Sequence, residues 1–335
     1  MRAKLLHDTM AALIGLNRTV CIEGAPGGGK TTIVRDLAKS INLHYIEKHL
    51  PTMLVEDFGI PLLPSPDAAD QVLSYITPDW FPAKGGVYDD GRGGVLCFDD
   101  RNQADASIQK VLANICQAKN LHGVEMAPNW TVVSTGNRQS DRAGANKVLS
   151  HLRNRETVLQ LETHLDDSTN WMAANGVAPE VVAFIRFRPD LLHKFEPTQD
   201  INPTPRSWVE GVSPVIGIVP HDAEYECYMG AVGEGAGAEF KGFLQICREM
   251  VDPDVAIAKP DTTEVPDKPS VQFAITAAVA YRATQENFGN VIRYLNRMAP
   301  EFGVLGVSIA TKRDPELQFT QAFTDWGIKN INILL

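Results

Sequence analysis

The sequence predicts an α/β fold, a three-layer αβα domain built on a parallel sheet and followed by a mostly helical lid domain. Three observations lead there. Short apolar, β-rich runs alternate with helix-like segments to about residue 165, the pattern of a parallel sheet covered on both faces. One of those runs, Thr19 to Ile22, enters a glycine-rich loop and then a helical stretch. From Leu165 onward, apolar spacing of three and four residues continues without matching strands. The expected boundaries are therefore 1–165 for the first domain and 166–335 for the second.

A chain of 335 residues can bury two cores of medium size, and 44% hydrophobic with 21% charged residues is ordinary for a soluble globular protein. No apolar run approaches the roughly 18 residues that a membrane span needs. At the N-terminus, Leu5, Leu6, Met10, Leu13 and Ile14 recur at helical spacing with polar residues between them. That favours an amphipathic helix over a signal peptide, so a cytoplasmic protein is expected. The formal charge of −10 disfavours a nucleic acid as main ligand, although an acidic total leaves room for a local basic channel. The five cysteines are odd in number and form no C-x-x-C pair, which points to buried reduced thiols. The histidines, His49 among them, show no paired ligand spacing and are assigned no chemistry.

The strongest motif is TVCIEGAPGGGKTT, residues 19–32. Gly24-x-x-x-x-Gly29-Lys30-Thr31, between a strand and a helix, is a phosphate-binding loop in both pattern and context. The candidate nucleotide contacts are Gly24, Ala25, Pro26, Gly27, Gly28, Gly29, Lys30, Thr31 and Thr32. Glycines leave backbone N–H groups open to phosphate oxygens, and the following helix adds its N-terminal dipole. Lys30 is placed to reach the β- and γ-phosphates, and the Thr31 hydroxyl to bind Mg²⁺. The chain is thus expected to be a P-loop nucleoside triphosphatase.

Four further segments complete the reading. GGVLCFDDRNQAD (93–105) is a buried parallel strand ending in two acids. Asp99 is placed to bind Mg²⁺ through water, and Asp100 to orient or deprotonate the attacking water. NWTVVSTGNRQSDRAG (129–144) is a second strand with a polar tip, from which Asn137 could bond the lytic water or the γ-phosphate. An Asn there is equally common for local turn reasons. Arg153 and Arg155 precede another β-rich run, and Arg206 follows two prolines near a helix start with Thr204 available as its cap.

In that order the motifs resemble an AAA+ ATPase, and within it the MoxR/CbbQ-type group, over roughly residues 15–215. GAPGGGKTT, FDDRNQA, STGNR, LRNRE and TPRSW are similar to Walker A, Walker B, sensor 1, the arginine-finger region and sensor 2. TMLVEDFGIPLL (52–63) resembles the segment after the second strand where such proteins carry a helical insert, and the layout after 166 resembles phage-encoded members. The resemblance implies ATP as ligand, Asn137 as sensor 1 and Arg206 as sensor 2. It makes Arg155, with Arg153 as second choice, a finger acting on a neighbouring subunit. It also implies a homo-oligomeric ring, expected to be a hexamer, and a protein partner of the kind that carries a von Willebrand A-type domain. The chain departs from the group at Asp100, where a Glu is usual, and this puts fast hydrolysis in doubt.

The function expected is therefore ATP-driven remodelling of a partner protein. A nucleic-acid motor or loader, a slow-hydrolysing nucleotide switch and a P-loop kinase are the alternatives in falling order. Later helices are expected around Tyr225–Arg248 and Val271–Arg297. Val55–Leu63 and Trp80-Phe81 are candidates for a pore surface, with packing the favoured role for both.

Overall fold

The computed structural model describes residues 1–63, 73–138, 148–196 and 198–330. Part of the segment 129–144 thus lies outside the described residues. The chain divides into two compact units, Met1–Thr163 and His164–Leu335.

The first unit opens with α1 (Ala3–Gly15) and β1 (Val20–Gly24), then α2 (Lys30–Ser40), β2 (His44–His49) and a hairpin of β3 (Ile60–Leu62) and β4 (Ser74–Ile76). It continues with β5 (Gly94–Asp99), α3 (Ala106–Ala118), the short hairpin β6 (Asn120–Leu121) and β7 (Val124–Glu125), β8 (Trp130–Asn137), α4 (Ser150–Arg153) and β9 (Thr157–Gln160). The central sheet has the order β2-β5-β8-β1-β9, and every pairing in it is parallel.

Alternation along the strands makes three layers from this sheet. Val95, Cys97 and Val133 pack with Leu6 and Met10 of α1 and Val34 and Leu37 of α2. Leu96, Phe98 and Val132 face the other way, against Ile108, Leu112 and Ile115 of α3. Successive strand side chains point to opposite faces, so strands covered on both sides read as unbroken apolar runs. Trp80 and Phe81 are buried with Phe58 and Phe98, so this pair is core. The 55–63 segment differs: Phe58 is buried, whereas Val55, Ile60, Leu62 and Leu63 are exposed. Its hydrophobic side chains, apart from Phe58, are not packing residues in this chain.

The second unit is helical: α5 (Leu165–Ala174), α6 (Pro179–Phe187), α7 (Glu224–Val232), α8 (Glu234–Glu249), α9 (Pro253–Ala258), α10 (Pro269–Tyr281), α11 (Phe288–Leu295), α12 (Pro300–Arg313) and α13 (Gln321–Lys329). Phe184, Trp208, Tyr228 and Phe240 form the aromatic centre of its core. Each of the two later stretches expected to be helical is helical and holds a break. Gly233, at φ 85°, turns the chain between α7 and α8. Between α10 and α11, Thr284 N–H donates to Asn287 Oδ1 at 2.7 Å, and Asn287 N–H donates to Thr284 Oγ1 at 3.4 Å. This reciprocal cap starts a new helix where apolar spacing alone suggests continuation. Among the described residues, no helix is long and apolar enough to cross a membrane.

The small residues of 231–244 mark a close helix contact. A Cβ added at Gly237 would lie 2.7 Å from the Met229 amide nitrogen, whereas one at Gly242 would meet nothing within 4 Å. Gly237→Ala should therefore destabilise the chain by about 1–3 kcal/mol through overpacking. Gly242→Ala, on the same helix, should stabilise it by about 0.5–1 kcal/mol. Denaturant unfolding of both variants checks the pair of opposite signs.

Candidate functional site

Parallel register places the candidate residues on one edge of the sheet. Gly24 pairs with Asn137, and His49 pairs with Asp99, so the four residues that end β1, β8, β2 and β5 share the C-terminal edge. Ligands of open α/β sheets bind at this edge. The loop after β1 carries Gly27 at φ 69° and Gly29 at φ 85°, a left-handed geometry that a side chain would strain. Gly29 is the N-cap of α2, so that helix begins at Lys30.

Lys30 is only 7% exposed, and its Nζ donates to Asn137 Oδ1 at 2.9 Å, Ala25 O at 3.1 Å and Gly24 O at 3.2 Å. The ammonium thus sits where the loop, α2 and the tip of β8 meet. Thr31 Oγ1 donates to Asp99 Oδ1 at 2.7 Å, and the Thr135 hydroxyl donates to the same oxygen. Burial works to raise the Asp99 pKa. The bonds from Thr135 and Thr31, with the nearby His49 and Lys30, outweigh it and hold the carboxyl below the usual range. Asp99 is therefore a carboxylate at neutral pH.

Asp100 follows in a left-handed turn, φ 53°, with its amide donating to Thr135 Oγ1 at 3.1 Å. Thr135 thereby positions both acids at once. Asn102 braces the tip of β8 reciprocally: its Nδ2 donates to Asn137 O at 2.8 Å, and Asn137 N–H donates to Asn102 Oδ1 at 3.1 Å.

Beneath this edge lies a buried charge network. Arg101 is fully buried, with Nη2 donating to Glu23 Oε1 at 3.0 Å and Nε 2.8 Å from Cys21 Sγ. Glu156 Oε2 lies 3.4 Å from Arg101 Nε, and Ser134 Oγ donates to Glu156 Oε1 at 2.5 Å. Glu23 Oε2 also accepts from Gln160 Nε2 at 2.8 Å and Arg153 Nη2 at 3.4 Å. Burial pushes the Glu156 carboxyl up, against the pull of Arg101. Burial also pushes the Cys21 thiol up to about 12, which keeps it protonated. Cys21, Cys97 and Cys116 are buried free thiols, while Cys227 and Cys247 are partly exposed free thiols.

The structure thus brings together Gly24, Lys30, Thr31, Asp99, Asp100 and Asn137. Arg153 and Arg155 lie just before β9, and among the described residues the Arg155 guanidinium has no hydrogen bond or ion pair. Arg206 belongs to the second unit, where it is exposed at the start of a π-helical stretch, Ser207–Val212. Thr204 does cap that start: Ser207 N–H donates to Thr204 Oγ1 at 3.1 Å. Sequence reasoning missed Thr135, Asn102, His49, Arg101, Glu23 and Glu156. A Glu inside the apolar run 20–24 was the one visible hint of the buried network.

The network makes a stability prediction. Arg101→Met leaves the buried Glu156 without a cation and Glu23 with only Arg153 and Gln160, and should cost about 3–5 kcal/mol. Adding Glu156→Gln should recover part of that loss, because the stranded charge is then gone. Urea unfolding of the single and double variants measures both steps.

Residues 19–155 match the family model of the AAA domain, dynein-related subfamily. No curated protein matches the chain. Among solved structures, the ATP complex of NtrX from Brucella abortus is 11% identical, with 99% of this chain and 68% of that one covered and a TM-score of 0.41. A proline-to-glycine variant of RuvB from Thermotoga maritima is 15% identical over 82% of this chain and 80% of that one, also with a TM-score of 0.41. The parallel sheet, its phosphate-binding loop and the AAA match make this chain an ATPase built on the AAA-type P-loop fold.

Proposed function

We propose that this ATPase works as a homo-oligomeric ring that remodels a partner protein, in the manner of the MoxR/CbbQ-type group. The observation that carries the reading is the convergence of Lys30, Asn137, Thr31 and Asp99 at the loop between β1 and α2. In this reading Lys30 binds the β- and γ-phosphates, and Asn137 senses the γ-phosphate or the lytic water. Thr31 and Asp99 offer hard oxygen donors side by side, with the Asp99 carboxyl held ionised, which suits Mg²⁺. When bound, Mg²⁺ supplies charge neutralisation at the phosphates. Asp100 is the residue proposed to take the water's proton.

Arg155 is the proposed finger for the neighbouring subunit's nucleotide. Arg153 is engaged by Glu23 of its own chain, whereas the Arg155 guanidinium pairs with nothing among the described residues. A cation kept for another subunit needs that freedom. Arg206 is proposed to act as sensor 2. The exposed hairpin, with Ile60, Leu62, Tyr75 and Ile76, is proposed as the surface that meets the partner protein. Ring size, proposed as six, and a von Willebrand A-type partner rest on the resemblance alone.

ATP turnover should be lost in Lys30→Ala and Asp100→Asn, and should fall by on the order of a thousandfold in Arg155→Ala. Mixing Asp100→Asn with Arg155→Ala subunits should restore activity, because some interfaces then combine an intact base with an intact finger. Solution mass with and without ATP completes the test. A monomer with normal turnover after Arg155→Ala overturns the ring. Salt-dependent stimulation by DNA or RNA would favour a nucleic-acid motor instead, and ATP binding without turnover would favour a switch.

A further inference from the structure

We propose that His49 is an additional protein ligand of the nucleotide's divalent cation, and that it shifts the site's preference from Mg²⁺ toward Mn²⁺. The inference rests on the reading that Thr31 and Asp99 hold that cation.

His49 ends β2 directly opposite Asp99, the residue that ends β5. Asp99 uses one oxygen, Oδ1, for the Thr31 and Thr135 hydroxyls. Its other oxygen, Oδ2, faces His49 Nδ1 at 3.5 Å. That separation is too long for a good hydrogen bond. It is close to the spacing of two neighbouring ligands on an octahedral ion, about 3 Å when each bond is about 2.1 Å. One ligand atom each from His49, Asp99 and Asp100 lies within 4.8 Å of the other two. The His49 side chain is about half exposed, at 47%, and also borders an open cleft with Thr52, Asp57 and Trp80, so a hydrated ion can reach it.

The chemistry of the donor set gives the direction of the preference. Mg²⁺ favours oxygen ligands and sheds water reluctantly, so an imidazole adds little to its binding. Mn²⁺ accepts carboxylate and water as readily and gains more from an imidazole nitrogen. Asp100 remains the base in this arrangement, and its carboxylate borders the ion without being required to hold it.

The test uses the full chain with a non-hydrolysable ATP analogue and Mn²⁺. Pulsed EPR of the bound Mn²⁺ should show modulation from one imidazole nitrogen. That signal should vanish in His49→Ala and His49→Gln and persist in Asp100→Asn. Competition between the two metals should show the Mn²⁺ preference falling about tenfold in both His49 variants. Bound Mn²⁺ without nitrogen modulation, together with an unchanged preference in His49→Ala, overturns the proposal. Asp99→Ala separates the two levels. If it leaves cation affinity intact, the cation site itself is misplaced; if it abolishes binding while the His49 variants change nothing, only the histidine assignment fails.

Discussion

The arrangement of the ATPase edge depends on one buried guanidinium. Arg101 has no exposed surface, and a charge in such a place is tolerable only when opposite charges face it. Glu23 of β1 and Glu156, just before β9, supply them, and β1 and β9 are neighbours in the sheet. Arg101 N–H is also tied to Thr135 O at 2.9 Å. Moving the Asp99–Asp100 turn would drag the guanidinium away from both carboxylates. The acids of the site are thus held by a constraint lying under them, and rigid placement is what electrostatic catalysis requires.

Strand register converts this local constraint into a site. Because β1, β2, β5 and β8 run parallel, their C-terminal ends fall on one edge, with Gly24 level with Asn137 and His49 with Asp99, without any loop having to find a special path. Thr135 shows how much one position can then do. Its hydroxyl donates to Asp99, its oxygen accepts the Asp100 amide, and its carbonyl accepts the Arg101 amide. The glycine that follows is needed for the same reason: a Cβ at Gly136 would press to 3.0 Å from Asn102 Oδ1, the atom that receives the Asn137 amide.

What was legible in the sequence is what short-range pattern encodes. The phosphate-binding loop announces itself by glycine spacing, the acidic strand end by apolar residues followed by Asp-Asp, and α3 by the spacing of Ile108, Leu112 and Ile115. The residues that were missed act across strands. Nothing local marks Thr135 over Ser134 until the register with β1 and β5 is known. His49 looks like one isolated histidine until β2 is laid beside β5. The helix breaks at Gly233 and at Thr284–Asn287 were hidden because apolar spacing runs on through both, while the stop is set by a left-handed glycine and a pair of caps. Trp80 and Phe81 needed the third dimension too, since only packing against Phe58 and Phe98 distinguishes core from surface aromatics.

The departure at position 100 has a backbone explanation. Asp is one methylene shorter than the Glu usual in the resembling group, and for the base proposed above a loss of reach of about 1 Å can cost about a hundredfold in rate. Here, however, residue 100 adopts φ 53°, a left-handed geometry that Asp and Asn accept more readily than longer side chains. Two hydrogen bonds of its own backbone support that turn, from Asp100 N–H to Thr135 Oγ1 at 3.1 Å and from Gln103 N–H to Asp100 O at 2.9 Å. A left-handed backbone also points Cβ in a different direction from the extended one, so side-chain length alone does not determine where the carboxylate ends. The short acid and the unusual turn are therefore one structural choice, and restoring Glu at this position would place a longer side chain on a backbone shaped for Asp.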